Sequence, residues 1–204
     1  MGASEDFLEY NFFRIRSSTD PVLFLDRDDT VIIDFGMKTN FKKPQFKPGS
    51  IEFLKKIKKV SPSINFILVT NQSKVDKNRL QRLILYPYHL LLCLILFFKG
   101  IKINTILICP HNSSANCKCR KPKSTMFDSK LRNLGLNPSL CYMIGDKFTD
   151  LSAGVGAGIK SLGIGIRNIP DQEIINSPLY LGSFKNFDDI FSRILSDLDL
   201  NKVK

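Results

Sequence analysis

Five short apolar runs constrain the fold of this chain more than any other feature of its sequence. They cover residues 22–25, 64–70, 105–108, 140–144 and 161–166. Helical patterns lie between several of them and after the last, at residues 51–57, 124–133, 150–157 and 187–198. Strands that alternate with helices predict an α/β fold with a parallel sheet. Ser50 is the expected N-cap of the first helix, and Gly135 is expected to end the second.

Length and composition indicate one domain. With 204 residues, 43% of them hydrophobic, the chain can bury a core without disulfides. We expect a single domain over residues 21–204, preceded by an N-terminal extension over residues 1–20. The net charge of +11 is spread through helices and loops, which favours a solvated basic surface over a nucleic-acid interface. The acidic start of the chain does not resemble a secretory signal, so we expect a cytoplasmic location.

Residues 83–98 form an unusually apolar segment in which His89 is the only residue that could carry a charge near neutral pH. Its 16 residues fall short of the roughly 20 that a membrane-spanning helix needs, and Pro87 interrupts it. We therefore expect no membrane partner. A buried helix beneath the sheet, or a hydrophobic contact between subunits, is favoured instead. The sequence leaves the oligomeric state open.

Polar side chains follow four of the apolar runs directly. They are Asp26 and Asp28, Thr70 to Ser73, Cys109 and His111, and Asp146 and Asp150. Ligands of a parallel sheet bind beyond the carboxyl ends of its strands, so these motifs are expected to converge at one edge. Residues i and i+2 of an extended chain point the same way, so Asp26 and Asp28 can address one ligand as a nucleophile and its acid/base partner.

The Asp26, Asp28 and Thr30 motif, the hydroxyl of Thr70 and the Gly145-Asp146 motif with its later Asp150 resemble the haloacid dehalogenase superfamily of phosphotransferases. The resemblance covers about residues 21–165 and implies a Rossmann-like sheet with helices on both faces. It implies that Asp26 attacks phosphorus to form an aspartyl-phosphate. Asp28 is then the acid that protonates the leaving oxygen and the base that activates water. Thr70 and Lys121 are expected to bind the phosphoryl oxygens.

The same resemblance implies a catalytic Mg²⁺. A carboxylate that attacks a phosphate dianion faces charge repulsion, which a hard cation relieves. The expected ligands are Asp26, the main-chain carbonyl of Asp28, and Asp146. Asp150 is expected to orient these ligands without binding the cation itself. No long insertion separates the motifs, so no separate cap domain is expected. The loop over residues 109–119 and the 34–45 loop are then left to cover the site.

Three of the five cysteines and one histidine lie within eleven residues, as Cys109, His111, Cys117 and Cys119. Three thiolates and an imidazole form a tetrahedral set that suits zinc. Four protein ligands leave no open position, so the zinc is expected to be structural. Arg120 and Lys121 follow directly, and the metal would fix these two cations where they can meet phosphate.

This loop, together with the DRD, TNQS and GDK motifs, resembles the D-glycero-D-manno-heptose 1,7-bisphosphate phosphatases and the related histidinol-phosphate phosphatases. The 33–36 loop and Lys147 favour the heptose enzymes, for which the reaction is removal of the 7-phosphate. The five-residue spacer between His111 and Cys117 is typical of the histidinol-phosphate enzymes. A small phosphorylated substrate is therefore the expected partner, with contacts from Asp34, Asn71, Gln72, Ser73, Arg120 and Lys147.

Two departures from the family pattern keep other functions open. Asp29 stands where the family has glycine, which adds a negative charge near a phosphate site. The segment 74–77 replaces glycine and arginine residues that usually follow the TNQS motif. A polynucleotide 3'-phosphatase is a further enzymatic alternative, although no basic cluster with stacking aromatics is visible. The non-enzymatic alternative is an inactive binding protein that retains the phosphatase fold.

Overall fold

The computed structural model of the protein describes residues 7–36, 42–73, 75, 79–166 and 171–202. Seven strands form a single sheet: β1 (Leu8–Asn11), β2 (Val22–Leu25), β3 (Asn65–Asn71), β4 (Ile103–Cys109), β5 (Cys141–Gly145), β6 (Lys160–Ile164) and β7 (Tyr180–Phe184). Their order is β1-β4-β3-β2-β5-β6-β7, and only the β1–β4 pair is antiparallel. The chain extends the sheet on one side of β2 and then crosses to the other, so a topological switch point lies between β2 and β5.

Six α-helices accompany the sheet in the part of the chain that the structure describes: α1 (Ser50–Val60), α2 (Arg79–Phe98), α3 (Thr125–Leu134), α4 (Phe148–Gly156), α5 (Gln172–Ile175) and α6 (Phe187–Lys202). Residues of α1, α2 and α6 share one apolar cluster with one face of the sheet. Those of α3 and α4 share a second cluster with the opposite face. Strands buried on both faces read as continuous apolar runs, which explains the pattern in the sequence. The expected parallel α/β sheet with helices on both faces is confirmed.

The structure corrects one expected helix start. Ser50 was expected to cap α1, but the helix begins at Ser50 and its N-cap is Gly49, with φ of 82°. The Ser50 hydroxyl instead donates to the carbonyl oxygen of Val31 at 3.1 Å, so it ties the helix to the loop after β2. The prediction that Gly135 ends the helix predicted over residues 124–133 is confirmed, since Gly135 is the C-cap of α3, with φ of 59°.

Part of the segment expected to be an N-terminal extension joins the sheet. β1 pairs with β4 in antiparallel register, from Leu8 opposite Ile108 to Asn11 opposite Thr105. The Asn11 side chain also accepts a hydrogen bond from the Thr105 hydroxyl at 2.9 Å. The N-terminal segment therefore covers the edge of β4, which would otherwise expose unpaired main-chain groups.

Helix α2 contains the apolar segment and continues through Pro87 for 20 residues. Pro87 was expected to interrupt it, but the proline lies on the exposed side, where water can satisfy the carbonyl that loses its donor. By length and composition the helix could cross a membrane, and 39% of its most apolar 18-residue window is buried inside the protein. Leu85, Leu92 and Leu96 are fully buried, whereas Leu83 and Phe98 are 73% and 82% exposed.

Candidate active site

The carboxyl ends of β2 and β5 bring the first acidic residues together at the switch point. Leu25 lies opposite Ile144, and the main-chain N–H of Asp26 donates to the Ile144 carbonyl at 2.9 Å. Asp26 and Asp146 therefore leave neighbouring parallel strands at the same edge. Carboxylate oxygens of Asp26, Asp146 and Asp150 all lie within 4.8 Å of one another.

Lys121 lies between two of these carboxylates and is almost completely buried. Its ammonium group is 2.6 Å from Oδ1 of Asp26 and 2.6 Å from Oδ1 of Asp150, and it also donates to the carbonyl of Val69. Burial alone would lower the pKa of Lys121, but the two carboxylates outweigh it and raise the pKa. The site therefore holds a fixed positive charge beside Asp26.

Burial raises the pKa of Asp26 well above its ordinary value, and the carboxylates of Asp150, Asp28 and Asp146 act in the same direction against Lys121. Burial, with repulsion from Asp150 and Asp29, also raises the pKa of Asp146 to about 6. Four acidic side chains thus share a site with two buried cations, Lys121 and Arg27. Such an excess of negative charge is what a divalent cation would neutralise.

Gly145 lets Asp150 approach the end of β5. A Cβ atom at Gly145 would overlap the Asp150 side chain, so only glycine fits there. Asp150 Oδ2 accepts from the main-chain N–H of Lys147 at 3.0 Å, while its Oδ1 faces Lys121. Both oxygens of Asp150 are therefore engaged by the protein, in contrast to Oδ1 of Asp146, which is buried and has no hydrogen-bond partner among the described residues.

The polar residues at the end of β3 hold the groups around them. Asn71 accepts from the main-chain N–H of Lys121 at 3.2 Å and donates to its carbonyl at 3.1 Å. Gln72 is buried and donates to Asp28 at 2.7 Å and to the Thr70 hydroxyl at 2.9 Å. Asn71 and Gln72 were expected to contact substrate; in the structure their side chains bind Lys121 and Asp28.

The four residues of the expected zinc loop come together in space. Cys109 Sγ lies 3.6 Å from Cys117 Sγ and 3.6 Å from Nδ1 of His111, and Cys119 Sγ lies 3.7 Å and 3.4 Å from the same two atoms. A tetrahedron with metal–sulfur bonds of about 2.3 Å has sulfur–sulfur edges of about 3.8 Å. The cluster therefore has the dimensions of a tetrahedral zinc site.

A cavity of about 580 Å³ opens over these groups. Its walls include the predicted residues Asp26, Asp28, Asp34, Thr70, Asn71, Ser73, Cys117, Arg120, Lys121, Lys147 and Asp150. Asp146 lines an adjoining cavity of about 540 Å³ together with Asp29 and Lys147. Gln72 lines neither cavity. The expected cover from the 34–45 loop lies partly outside the described residues, as does most of the 74–77 segment.

The sequence patterns missed several residues of the site. Ser113, Asn116, Lys123 and Thr149 also line the main cavity. Lys123 donates to the carbonyl of Cys117 at 2.6 Å, and Arg120 donates to that of His111 at 3.1 Å, so both are tied to the cysteine loop. Their proximity to that loop in the sequence was the available signal. Arg27, which is buried against the adjacent Asp28, had no such signal because its contact with His89 comes from a distant helix.

Comparison with known proteins decides the family. The HAD-hydrolase-like family model matches residues 118–168, which contain Lys121, Asp146 and Asp150. The D-glycero-beta-D-manno-heptose-1,7-bisphosphate 7-phosphatase of Pasteurella multocida is 34% identical over 145 residues, or 68% of this chain and 78% of that protein. The chain belongs to the HAD-like hydrolases. As a phosphatase of this family, it is a hydrolase that acts on phosphate monoesters.

A bifunctional protein of histidine biosynthesis and a heptose bisphosphate phosphatase of known structure are also similar to this HAD-like phosphatase. The histidine biosynthesis bifunctional protein HisB of Blochmanniella floridana is 34% identical over 148 residues, which span 70% of this chain but only 40% of that protein. The D,D-heptose 1,7-bisphosphate phosphatase of B. bronchiseptica, solved with magnesium and phosphate, has a TM-score of 0.68 at 21% identity. That match covers 87% of this chain and 99% of the other, and it supports the same fold.

Proposed function

We propose that the protein hydrolyses a small phosphomonoester through an aspartyl-phosphate on Asp26, and that its substrate is D-glycero-D-manno-heptose 1,7-bisphosphate, from which it removes the 7-phosphate. The arrangement that carries the proposal is Asp26 held by buried Lys121 beneath a cavity that Asp28 also lines. The relatedness to a heptose bisphosphate phosphatase supports the substrate.

The proposed reaction has two steps. In the first, a carboxylate oxygen of Asp26 bonds to phosphorus, the ester bond breaks, and the departing alkoxide takes a proton from Asp28. In the second, Asp28 takes a proton from water, whose oxygen attacks phosphorus and releases Asp26 and inorganic phosphate. The ammonium of Lys121 and the hydroxyl of Thr70 would bind the phosphoryl oxygens.

The acidic residues fit Mg²⁺. Mg²⁺ prefers oxygen ligands, and the buried Oδ1 of Asp146 lacks a partner among the described residues. Asp26 and Asp146, with the carbonyl of Asp28, would hold the cation, and Asp150, whose oxygens bind Lys121 and a main-chain N–H, would orient the site from behind. When bound, the cation supplies positive charge that offsets repulsion between phosphate and Asp26.

The cysteine loop fits a structural Zn²⁺. Its four ligand atoms lie close enough together to hold one ion, and burial with the neighbouring sulfurs raises the pKa of Cys119, so a nearby cation would favour the thiolate form of that residue. With four protein ligands the metal would have no open position for substrate. It would instead fix the loop that carries Arg120 and Lys123 into the cavity wall.

The charges of the cavity wall favour a bisphosphate. Arg120, Lys123 and Lys147 line it in addition to Lys121, so cations remain for a second phosphate once Lys121 has met the first. Histidinol phosphate is the second candidate. The HisB relative supports it, and Asp34 in the same wall could pair with an ammonium group.

Phosphate release in the presence of Mg²⁺ tests the proposal. Heptose 1,7-bisphosphate, histidinol phosphate and a 3'-phosphorylated oligonucleotide are assayed side by side, and we expect the highest kcat/KM with the heptose. Asp26→Asn should reduce release to background because the amide is a poor nucleophile, while circular dichroism shows a folded protein. Wild-type turnover by Asp26→Asn would contradict the mechanism. Release from none of the three by folded, metal-loaded protein would favour the inactive binding protein.

A further inference from the structure

Arg27 is fully buried and holds both oxygens of Asp28. Its Nε donates to Oδ1 at 3.0 Å, and its Nη2 lies 2.8 Å from Oδ1 and 2.9 Å from Oδ2. Gln72, which follows the neighbouring strand β3, donates to Oδ2 at 2.7 Å. Fork-shaped contact of this kind fixes the plane of a carboxylate as well as its position. The orientation of Asp28 in the cavity therefore depends on where the Arg27 guanidinium is held.

His89 holds the far side of that guanidinium. Nη1 of Arg27 lies 2.9 Å from Nε2 of His89, and Nδ1 of His89 lies 2.8 Å from the carbonyl oxygen of Leu85. Arginine can only donate, so Nε2 must accept, and the proton of a neutral ring must be on Nδ1, from which it donates to Leu85. Both hydrogen bonds thus require the same neutral tautomer.

The surroundings of His89 keep the ring in that state. The residue is completely buried in α2, and burial together with the charge of Arg27 lowers its pKa well below the ordinary value. Tyr88 packs edge-on against the imidazole and also lies beneath the guanidinium, 5.3 Å from ring centre to Cζ of Arg27. A polar residue inside this apolar helix is thereby used to anchor an arginine of the active site.

We infer that His89 is a positioning residue for the proposed phosphatase reaction: through Arg27 it fixes the side chain of Asp28, which gives a proton to the leaving oxygen as a carboxylic acid and takes one from water as a carboxylate. The inference rests on the proposed function and assigns to α2 a role in the chemistry. Without the acceptor at Nε2, Nη1 of Arg27 loses this hydrogen bond inside the protein, and one of the contacts that fix the guanidinium is gone. The carboxyl group of Asp28, which Arg27 orients, is then less firmly fixed.

Variants of His89 and two esters provide the test. Gln can place an oxygen near the position of Nε2 and accept from Arg27, whereas Leu cannot accept and Asn is too short to reach. A phosphorylated sugar releases an alkoxide that needs a proton, but p-nitrophenyl phosphate releases a phenolate that does not. The parameter to compare is kcat/KM, because it covers only the steps up to departure of the alcohol.

We expect His89→Leu to lower kcat/KM by about 10- to 100-fold for the sugar phosphate and by less than about threefold for p-nitrophenyl phosphate. His89→Gln should retain most of the wild-type kcat/KM. His89→Asn should show the same selective loss as His89→Leu, and it takes the place of that variant if His89→Leu does not fold. Leu92→Ala, a buried change on the same helix to a side chain that cannot hydrogen-bond Arg27, serves as the control and should leave the ratio of the two esters unchanged.

An equal loss on both esters, or no difference between Gln and Asn at position 89, would overturn the inference and leave His89 a purely structural residue. Release of phosphate by the wild type is measured in the same assays and tests the proposed function separately. Absence of release from both esters by the wild type would reject the proposed function, and the positioning role with it.

Discussion

At the scale of single residues, Asp29 is the clearest departure within the site. Its φ of 57° lies in the left-handed region that glycine adopts most freely, and aspartate tolerates it better than most residues. Oδ1 of Asp29 accepts from the main-chain N–H of Asp34 at 3.2 Å, which offsets part of the conformational cost. Its negative charge contributes to the raised pKa of Asp146, so Asp29 adds repulsion where a phosphate dianion is expected.

We therefore expect Asp29→Asn to raise kcat/KM for a phosphomonoester by about threefold at saturating Mg²⁺ and low salt. Asparagine keeps the acceptor for Asp34 and tolerates the same backbone, so the change isolates the charge. Because the effect is electrostatic, it should shrink as ionic strength rises. Glu52→Gln on the exposed side of α1 is the control for a general change in net charge. A decrease in kcat/KM would indicate that Asp29 assists the cation or the substrate.

The sequence predicts the location of a site residue when that residue directly follows a strand. Asp26, Thr70 and Asp146 follow apolar runs directly, so the edge at which they meet was predictable. The ion pair of Lys121 with Asp26 and the contact of Arg27 with His89 could not be predicted. They join residues 95 and 62 positions apart, and only the packing of α2 and the cysteine loop brings them together.

At the scale of elements, the buried strands were predictable and the half-buried ones were not. β2 to β6 are apolar runs between turns, whereas β1 alternates between half-buried and exposed residues and β7 contains Gly182. Such strands depend on the neighbours with which they pair, and they carry a weak local signal. Helix α2 was uncertain for a different reason, because its residues are apolar on nearly every side and show no clear amphipathic period.

The two sides of α2 predict different costs for the same substitution. Leu92 is completely buried in the core, whereas Leu83 is 73% exposed. We expect Leu92→Ala to lower the free energy of unfolding by about 2–5 kcal/mol because it removes buried methyl groups and leaves a cavity. Leu83→Ala should change it by less than about 0.5 kcal/mol. Chemical denaturation of the two variants measures both values, and a similar large loss at Leu83 would mean that its face is covered in solution.

At the scale of the whole molecule, the cysteine loop links the fold to the active site. The loop begins at the end of β4 and leads into α3, so it joins the sheet to the helical layer on one face. Along this path Arg120 is tied to the carbonyl of His111, and Lys121 reaches Asp26 and Asp150. A change at the cluster should therefore act on both stability and catalysis.

A variant that loses the proposed zinc should lose both stability and activity, and a substitution of a buried cysteine outside the cluster provides the comparison. We expect Cys117→Ser to lose one equivalent of zinc by elemental analysis and to melt at lower temperature. Its kcat/KM should fall by about tenfold or more, because Arg120 and Lys121 are no longer held at the cavity. Cys93→Ser, a buried cysteine of α2 outside the cluster, should retain zinc. Full zinc content in Cys117→Ser would exclude the four-ligand site, and unchanged kcat/KM in zinc-free protein would show that Lys121 is held by its two carboxylates alone.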